Sequence, residues 1–440
     1  MSGFRSVAAL LAALVLFFSV ACAEDQGLQV EEIDIPLEEI MPVALTEDEP
    51  ETESKEVFTP SWGSPWKEDI ASSYWTTPMD ITDEETVWNM LMEPITVIDL
   101  GVKNKSKSQQ TKMNLYIYRE PDKNSKIVGE LTNLSQGVRV IRHLDSGWSL
   151  VECYSSSFAN YPKTKISAWN ILVSGYIESK YLKEVQPTDQ IALVVDKLTQ
   201  RVYVFSEGKM LCELLCSTGL VQKNIKGKYQ PYNETRSGEF LVINMTGSLT
   251  SDNLVCAYAM RFNGGDEIHE VPHVVEKDKT WSYDKAGAEK YLGAKHSHGC
   301  IRVQRKTTPE GYNMKWIYRK ISDNDLCGKV KIIVWEDWQG RQIDTPSPDT
   351  VLYYNANNKG TYYHRADHCN SAKAGTVFSP FLYSQLDEAP FSGLKACPFC
   401  VPVRRESDIR KINETYAPGG DHEEMLNSLR KGYYEYLAKD

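Results

Sequence analysis

The apolar and polar positions of this 440-residue chain change period several times, and each change marks a boundary. Val7 to Val20 form a short apolar run behind Arg5. "ITDEETVWNMLMEP" reads as a helix, with Thr82 and Glu85 as a capping box and Pro94 as its stop. "ITVIDLG" follows as a strand, and "NKSKSQQTK" as a polar linker or hairpin tip. From Met113 to Val185 short strands alternate with turns at Pro121-Asp122 and Asp145-Ser146-Gly147, the spacing of a small barrel. A new unit opens with "IALVV", "RVYVF" and "LCELLCS", an antiparallel meander broken at "EGK". "ETRSGEFLVINM" reads as a strand, and "NLVCAYAMRFNGGDEIHEV" as two strands about a glycine turn. A helix is expected after Thr308 with Pro309 in its first turn. "GKVKIIVWED" closes the unit, and the chain ends in a surface helical hairpin around Gly419-Gly420.

These boundaries divide the chain into a signal peptide (1–23), an acidic leader (24–60), a helix and strand lead-in (61–111), a small barrel (112–186), a β-rich domain (187–338), a cysteine-containing module (351–402) and C-terminal helices (403–440). The expected fold class is mainly β, with a small α+β module near the end. Arg5, the apolar run and Ala21-Cys22-Ala23 have the form of a cleaved signal. Lipid attachment at Cys22 is the alternative, but Ser19 stands where lipoproteins usually carry leucine, so plain secretion is favoured. No later stretch is apolar and long enough to cross a membrane.

Charge changes little in this picture. The net −11 is concentrated in residues 24–56, where 13 acids face Lys55 alone, a net of −12. Arg5 returns one charge, so residues 57–440 sum to about zero. A body without basic bias argues against nucleic acid as a partner.

Ten cysteines in a secreted chain leave nine once the signal is removed, an odd number. Most lie in apolar runs as packing residues. Cys300 is different: "KHSHGCIRVQ" sets it among polar residues, behind Gly299 and two before Arg302, which suits a reactive thiol. The tail places His364, Cys369, Cys397 and Cys400 as His-x4-Cys and Cys-x2-Cys, the spacing of a tetrahedral zinc site, with His368 as an alternative ligand. A disulfide within "CPFC" and reduced packing cysteines are the other readings.

Three resemblances follow from these motifs. "SHGCIRV", "RSGEF", "STG" at Ser217–Gly219 and "IHE" at Ile268–Glu270 make residues 189–336 similar to the catalytic domain of L,D-transpeptidases of the YkuD type. The resemblance implies a secreted enzyme that cross-links peptidoglycan stem peptides through a thioester on Cys300, with no cofactor for catalysis. It implies His269 as base, main-chain donors at Gly299 and Cys300 for the oxyanion, and supporting roles for Ser297 and His298. Arg302 would bind a substrate carboxylate, or else form a structural ion pair. Trp281, Tyr283 and Tyr291, in an insertion read as a lid, would stack on substrate or merely pack. Arg236 departs from the family's usual proline, and Glu270 from its glycine or serine. An L,D-carboxypeptidase of the same fold and a non-catalytic wall-binding protein are the alternatives. The barrel resembles bacterial SH3-like domains, which implies wall glycan as a partner or simple packing. Residues 351–402 resemble Ada-like metal-binding modules, which implies a structural zinc.

Overall fold

The structure is a computed structural model that describes residues 80–100, 115–131, 136–156, 166–251, 253–337, 341–357 and 360–439. The expected signal peptide with Cys22, the acidic leader and the expected polar linker lie outside the described residues. The first helix, α1 (Glu84–Met92), corrects the expected cap: the Asp83 carboxylate accepts from the Thr86 amide, while the Thr82 hydroxyl turns back to Asp80. Asp is as good an N-cap as Thr, and the two sit side by side, so a motif scan cannot separate them. Val87 and Leu91 are the buried residues of α1, and the helix ends at Glu93, before Pro94.

β1 (Ile95–Ile98) is followed by β2 (Leu115–Tyr118), β3 (Ile127–Leu131), β4 (Arg139–His143), β5 (Trp148–Tyr154), β6 (Leu172–Glu178) and β7 (Leu182–Val185). β2 to β6 make an antiparallel sheet in the order β3-β2-β6-β5-β4, and β1 pairs with β7. No β3–β4 pairing closes this sheet into a barrel among the described residues.

The next unit carries β8 (Ala192–Asp196), β9 (Arg201–Ser206), β10 (Lys209–Ser217), β11 (Gly238–Leu241), β12 (Asn244–Ser251), β13 (Leu254–Asn263), β14 (Asp266–Glu270), β15 (His273–Val275), β16 (Trp281–Ser282), α2 (Tyr283–Ala286), β17 (Ile301–Val303), α3 (Met314–Ser322) and β18 (Lys331–Trp335). The strand path is β11-β18-β8-β9-β10-β17-β14-β13-β15-β16, with β12 also on β13. β8, β9 and β18 are buried on both faces, which explains their unbroken apolar runs. One face packs in a core with α1 and the N-terminal sheet, through Val194, Phe205 and Ile333. The other packs with α3, through Leu193, Val204 and Ile332.

Two expectations are corrected here. "ETRSGEFLVINM" is not one strand: β11 stops at Leu241 and β12 begins at Asn244. The helix expected after Thr308 begins only at Met314, because Asn313 caps it, its side chain accepting from the Trp316 amide.

The tail holds β19 (Val351–Asn355), β20 (Tyr362–His364), β21 (Phe378–Leu382) and β22 (Lys395–Ala396), ordered β21-β19-β20-β22. α4 (Glu406–Thr415) and α5 (Asp421–Ala438) follow. α5 is no surface helix: His422, Leu426, Arg430, Tyr433 and Leu437 form one buried stripe at helical spacing. Its Tyr433 and Tyr436 hydroxyls donate to the Val128 and Ile127 carbonyls at 2.6 and 2.8 Å, tying the chain's end to the N-terminal sheet. No helix among the described residues is long and apolar enough to cross a membrane.

α3 buries Met314, Ile317 and Ile321 against the second core. Ile317→Ala is expected to lower unfolding free energy by about 2–5 kcal/mol, measured by denaturant titration.

Candidate active site and metal cluster

Strand register brings the site together. β14 and β17 pair in parallel, with Ile268 opposite Ile301 and His269 opposite Arg302. On the far side of β17, Ser217 of β10 is opposite Arg302. Cys216, Ile268, Ile301 and Val303 enter the α3 core, so Ser217, Arg302 and His269 form a row on the opposite face. Cys300 directly precedes β17, two residues from Arg302, which sets it on the side of His269 by the two-residue period of a strand. Cys300 and His269 are both buried, at 1% and 0% exposure.

The His269 ring is oriented by its own strand. Nδ1 lies 2.7 Å from the Glu270 carbonyl oxygen, which can only accept, so Nδ1 carries the hydrogen. Nε2 then holds the lone pair of a base. The Glu270 side chain is committed elsewhere: its carboxylate accepts from the Tyr283 hydroxyl at 2.6 Å. Burial is the main cause that raises the Glu270 pKa.

The neighbouring histidines have ring contacts of their own. His273 lies on β15, which continues β14 along the same edge of β13 and in the same register. Its ring stacks on Trp281 with centroids 4.0 Å apart, and burial lowers its pKa. The His296 ring stacks on Tyr291 at 3.5 Å, and its Nδ1 accepts from Arg302 Nη1 at 3.2 Å.

The nucleophile turn is pinned from three sides. Ser297 Oγ donates to the Cys300 carbonyl at 2.5 Å and accepts from the Gly299 amide at 3.2 Å. The Thr235 hydroxyl donates to the Gly299 carbonyl at 2.7 Å and accepts from the Gly219 amide at 2.8 Å. The Ser297 carbonyl accepts from the Leu220 amide at 2.9 Å. Gly219 is required by contact, since a Cβ there would fall 1.8 Å from the Asn233 carbonyl oxygen. Gly299 has φ +126°, and a Cβ would meet Asp266 Oδ1 at 2.7 Å. The Gly299 amide expected to face an oxyanion is therefore turned instead to Ser297 within the loop. Ser297 is a loop brace, and His298 is half-buried beside it.

The polar contact of the Arg302 guanidinium on this face is with His296. The inserted segment is a hairpin, with β15 on β13 and β16 on β15, so it lengthens the sheet rather than hanging as a loose lid. Trp281 stays half-exposed at its end, at 53%. Tyr291 has one ring face covered by His296.

Sequence reasoning noted Arg236 only as a departure from the family and missed its partner Asp266. Arg236 is buried, with Nε 3.7 Å from Asp266 Oδ2. Burial pushes the Asp266 carboxyl up to about 6 despite the guanidinium, and pulls Arg236 down to about 10. Arg236 is the buried partner of Asp266, and its departure from the family's usual proline was the available signal.

The second cluster lies in the tail. One ligand atom each from His364, Cys369, Cys397 and Cys400 fall within 4.8 Å of one another. The Cys369–Cys397 sulfur separation is 3.7 Å, and Cys400 Sγ lies 3.6 Å from His364 Nδ1. Tetrahedral zinc with bonds of about 2.3 Å to sulfur needs ligand separations of about 3.8 Å, so the set fits that ion. All three thiols are free of disulfides. His368 is exposed and bonded to Asp367, so His364 is the fourth member. The three thiols share hydrogen bonds, which lower the Cys397 pKa and raise that of Cys400.

Gly299→Ala is expected to fold but to slow acylation of Cys300 by a carbapenem by at least about tenfold, followed by intact-protein mass spectrometry over a time course. A rate within about twofold of wild type would mean that the turn relaxes at little cost.

Residues 190–334 match the family model for the L,D-transpeptidase catalytic domain. Among solved structures, an L,D-transpeptidase from Xylanimonas cellulosilytica is 15% identical, covering 34% of this chain and 63% of its own, with a TM-score of 0.23. A fused zinc-dependent amidase/peptidase/peptidoglycan-binding protein from Clostridium acetobutylicum is 21% identical, covering 33% and 52%, at 0.22. An L,D-transpeptidase from Mycobacterium smegmatis is 14% identical, covering 56% and 92%, at 0.24. The chain thus spans less than two thirds of the first two structures. No curated protein matched the chain. The family match assigns residues 190–334 to the L,D-transpeptidase catalytic domain family.

Proposed function

We propose that the protein is an extracytoplasmic L,D-transpeptidase that links peptidoglycan stem peptides through a thioester on Cys300. The observation that carries this reading is the His269 tautomer, fixed by the Glu270 carbonyl on the strand beside Cys300. His269 Nε2 takes the thiol proton, and the thiolate adds to the carbonyl of the L-centred diamino acid of a donor stem. The peptide bond to the terminal D-alanine breaks, and its amine leaves with the proton from His269. An amine of a second stem then attacks the thioester, gives its proton to His269, and Cys300 leaves as thiolate. Water in place of that amine would give the carboxypeptidase outcome.

The Cys300 amide is the main-chain donor that this reading assigns to the oxyanion. One such donor is worth about 2.7–4 kcal/mol. Arg302, a planar guanidinium fork two residues after Cys300, is suited to a substrate carboxylate. Zinc held by His364, Cys369, Cys397 and Cys400 serves the tail as a structural ion and takes no part in the reaction.

Incubation with purified muropeptides, read by mass spectrometry, is expected to yield cross-linked dimers with loss of D-alanine. Release of D-alanine with no dimer would make the protein a carboxypeptidase. Cys300→Ala should form no carbapenem adduct. His269→Ala should lose about 10² to 10⁴ in acylation rate, whereas His273→Ala and His296→Ala should keep at least about a tenth.

For the tail, the purified protein should carry about one zinc per chain. Cys397→Ser should lose the metal and unfold the module, since such sites supply folding energy directly. Metal analysis and limited proteolysis measure this, and a metal-free protein with a Cys397–Cys400 disulfide would refute it.

A further inference from the structure

Trp169 and Asn170, just before β6, reach from the N-terminal sheet to the segment beneath the nucleophile. Asn170 holds φ +52°, a left-handed conformation that asparagine tolerates. This sets Trp169 and Asn170 side by side on residues 234–237. The Trp169 indole N–H donates to the Glu234 carbonyl at 3.1 Å, and the Ser237 amide donates to Asn170 Oδ1 at 2.7 Å. Between those two anchors the Arg236 guanidinium lies over the Trp169 ring, 4.7 Å from its centroid. Arg236 faces Asp266 on its other side, and Asp266 Oδ1 fills the space that a Gly299 Cβ would need. Thr235, next in the same segment, holds the Gly299 carbonyl.

A buried carboxylate under the turn that carries the oxyanion donor would oppose charge development if it were uncompensated. Arg236 supplies the compensation, and few positions could hold a buried guanidinium there without an aromatic face to rest on.

We propose that the N-terminal sheet is a working part of the acyl-transfer site, in which Trp169 positions Arg236, and Arg236 positions Asp266 beneath Gly299, so that the turn presenting Cys300 is set by the docked domain. Trp169, Arg236 and Asp266 are positioning residues, and none of them touches the reacting atoms. The proposal rests on the acyl-transfer reading of Cys300.

The test uses the full chain and two reagents. Carbapenem acylation passes through an oxyanion, whereas alkylation by iodoacetamide needs only the thiolate. Trp169→Leu should slow acylation of Cys300 by about tenfold to a hundredfold and leave its alkylation within about twofold. Trp169→Phe, which keeps a ring face for the guanidinium, should restore most of the rate. Trp169→Leu combined with Asp266→Asn should be little worse than the slower single variant, because both break one chain of contacts. Hydrogen exchange should quicken at residues 296–301 in Trp169→Leu and stay unchanged in residues 201–217. Unchanged acylation, or acylation and alkylation that fall together, would overturn the proposal. If the wild type takes no carbapenem and makes no dimers, the acyl-transfer reading fails. Exchange at 296–301 then still decides whether Trp169 sets the turn.

Discussion

The parallel pairing of β14 with β17 is the constraint on which the site depends. It is only three residues long, and it sets His269 of β14 opposite Arg302 of β17, with Cys300 immediately before that strand. Parallel strands cannot be joined by a tight turn, and their connection needs a dozen or more residues. The long segment between Glu270 and Ile301 is therefore required by topology before it serves any other purpose. The chain uses it to add β15 and β16 to the sheet edge and returns through the turn that carries Ser297 and Gly299. So short a strand could not hold its register alone. Its neighbour β10, the Ser297 and Thr235 hydroxyls and the core residues Ile301 and Val303 hold it in place.

A buried ionic network ties this turn to the rest of the molecule. Lys197 Nζ reaches Glu336 at 2.7 Å and Glu234 at 3.1 Å, and also donates to the Thr235 carbonyl. Lys295, five residues before the nucleophile, pairs with Asp337, which also meets His422 of α5 at 3.4 Å. Burial would raise the Asp337 pKa, but Lys295, His422 and Lys197 together pull it well below the usual carboxylate range. Glu234, Glu336 and Asp337 lie close enough to suggest a cation site. Two ammonium groups already occupy that role. Such networks add little net stability over an apolar core, but losing one partner leaves a buried charge, which makes the arrangement all-or-none. Its members come from the end of β8, the segment before β11, the end of β18, the nucleophile turn and α5, so those parts share one geometry.

The metal cluster is coupled to the catalytic domain more loosely. Its module touches the segment after β17 through the Arg365–Glu310 pair and through Asn370, whose side chain donates to the Thr307 and Thr308 carbonyls. Both partners of that ion pair are 38% exposed, where such pairs contribute little. A metal held there would act within the four-stranded module, whose own core of Leu352, Tyr363, Phe381, Tyr383 and Leu386 is small. A core of that size calls for a staple, which an ion at the four side chains would supply.

The meander, the glycine turn before β14 and the Cys300 motif were legible because they depend on local period and on residue types adjacent in sequence. Glycine at 299 and the spacing of the four tail ligands were legible for the same reason. What the sequence hid was partnership at a distance. Asp83 and Thr82 are equally good caps, and only the path of the preceding turn separates them. α5 carries a stripe diluted by His422 and Arg430, polar residues that read as surface until the network and the Asn170 carbonyl supply their partners. Glu270 shows the limit most clearly. As a side chain it departs from the family, and the departure raises doubt about the base beside it. The structure sends that side chain to Tyr283 and gives the orienting role to the Glu270 main-chain carbonyl, which every residue type possesses. A function carried by the backbone leaves no trace in residue identity, so a substitution at such a position says nothing about whether the function survives.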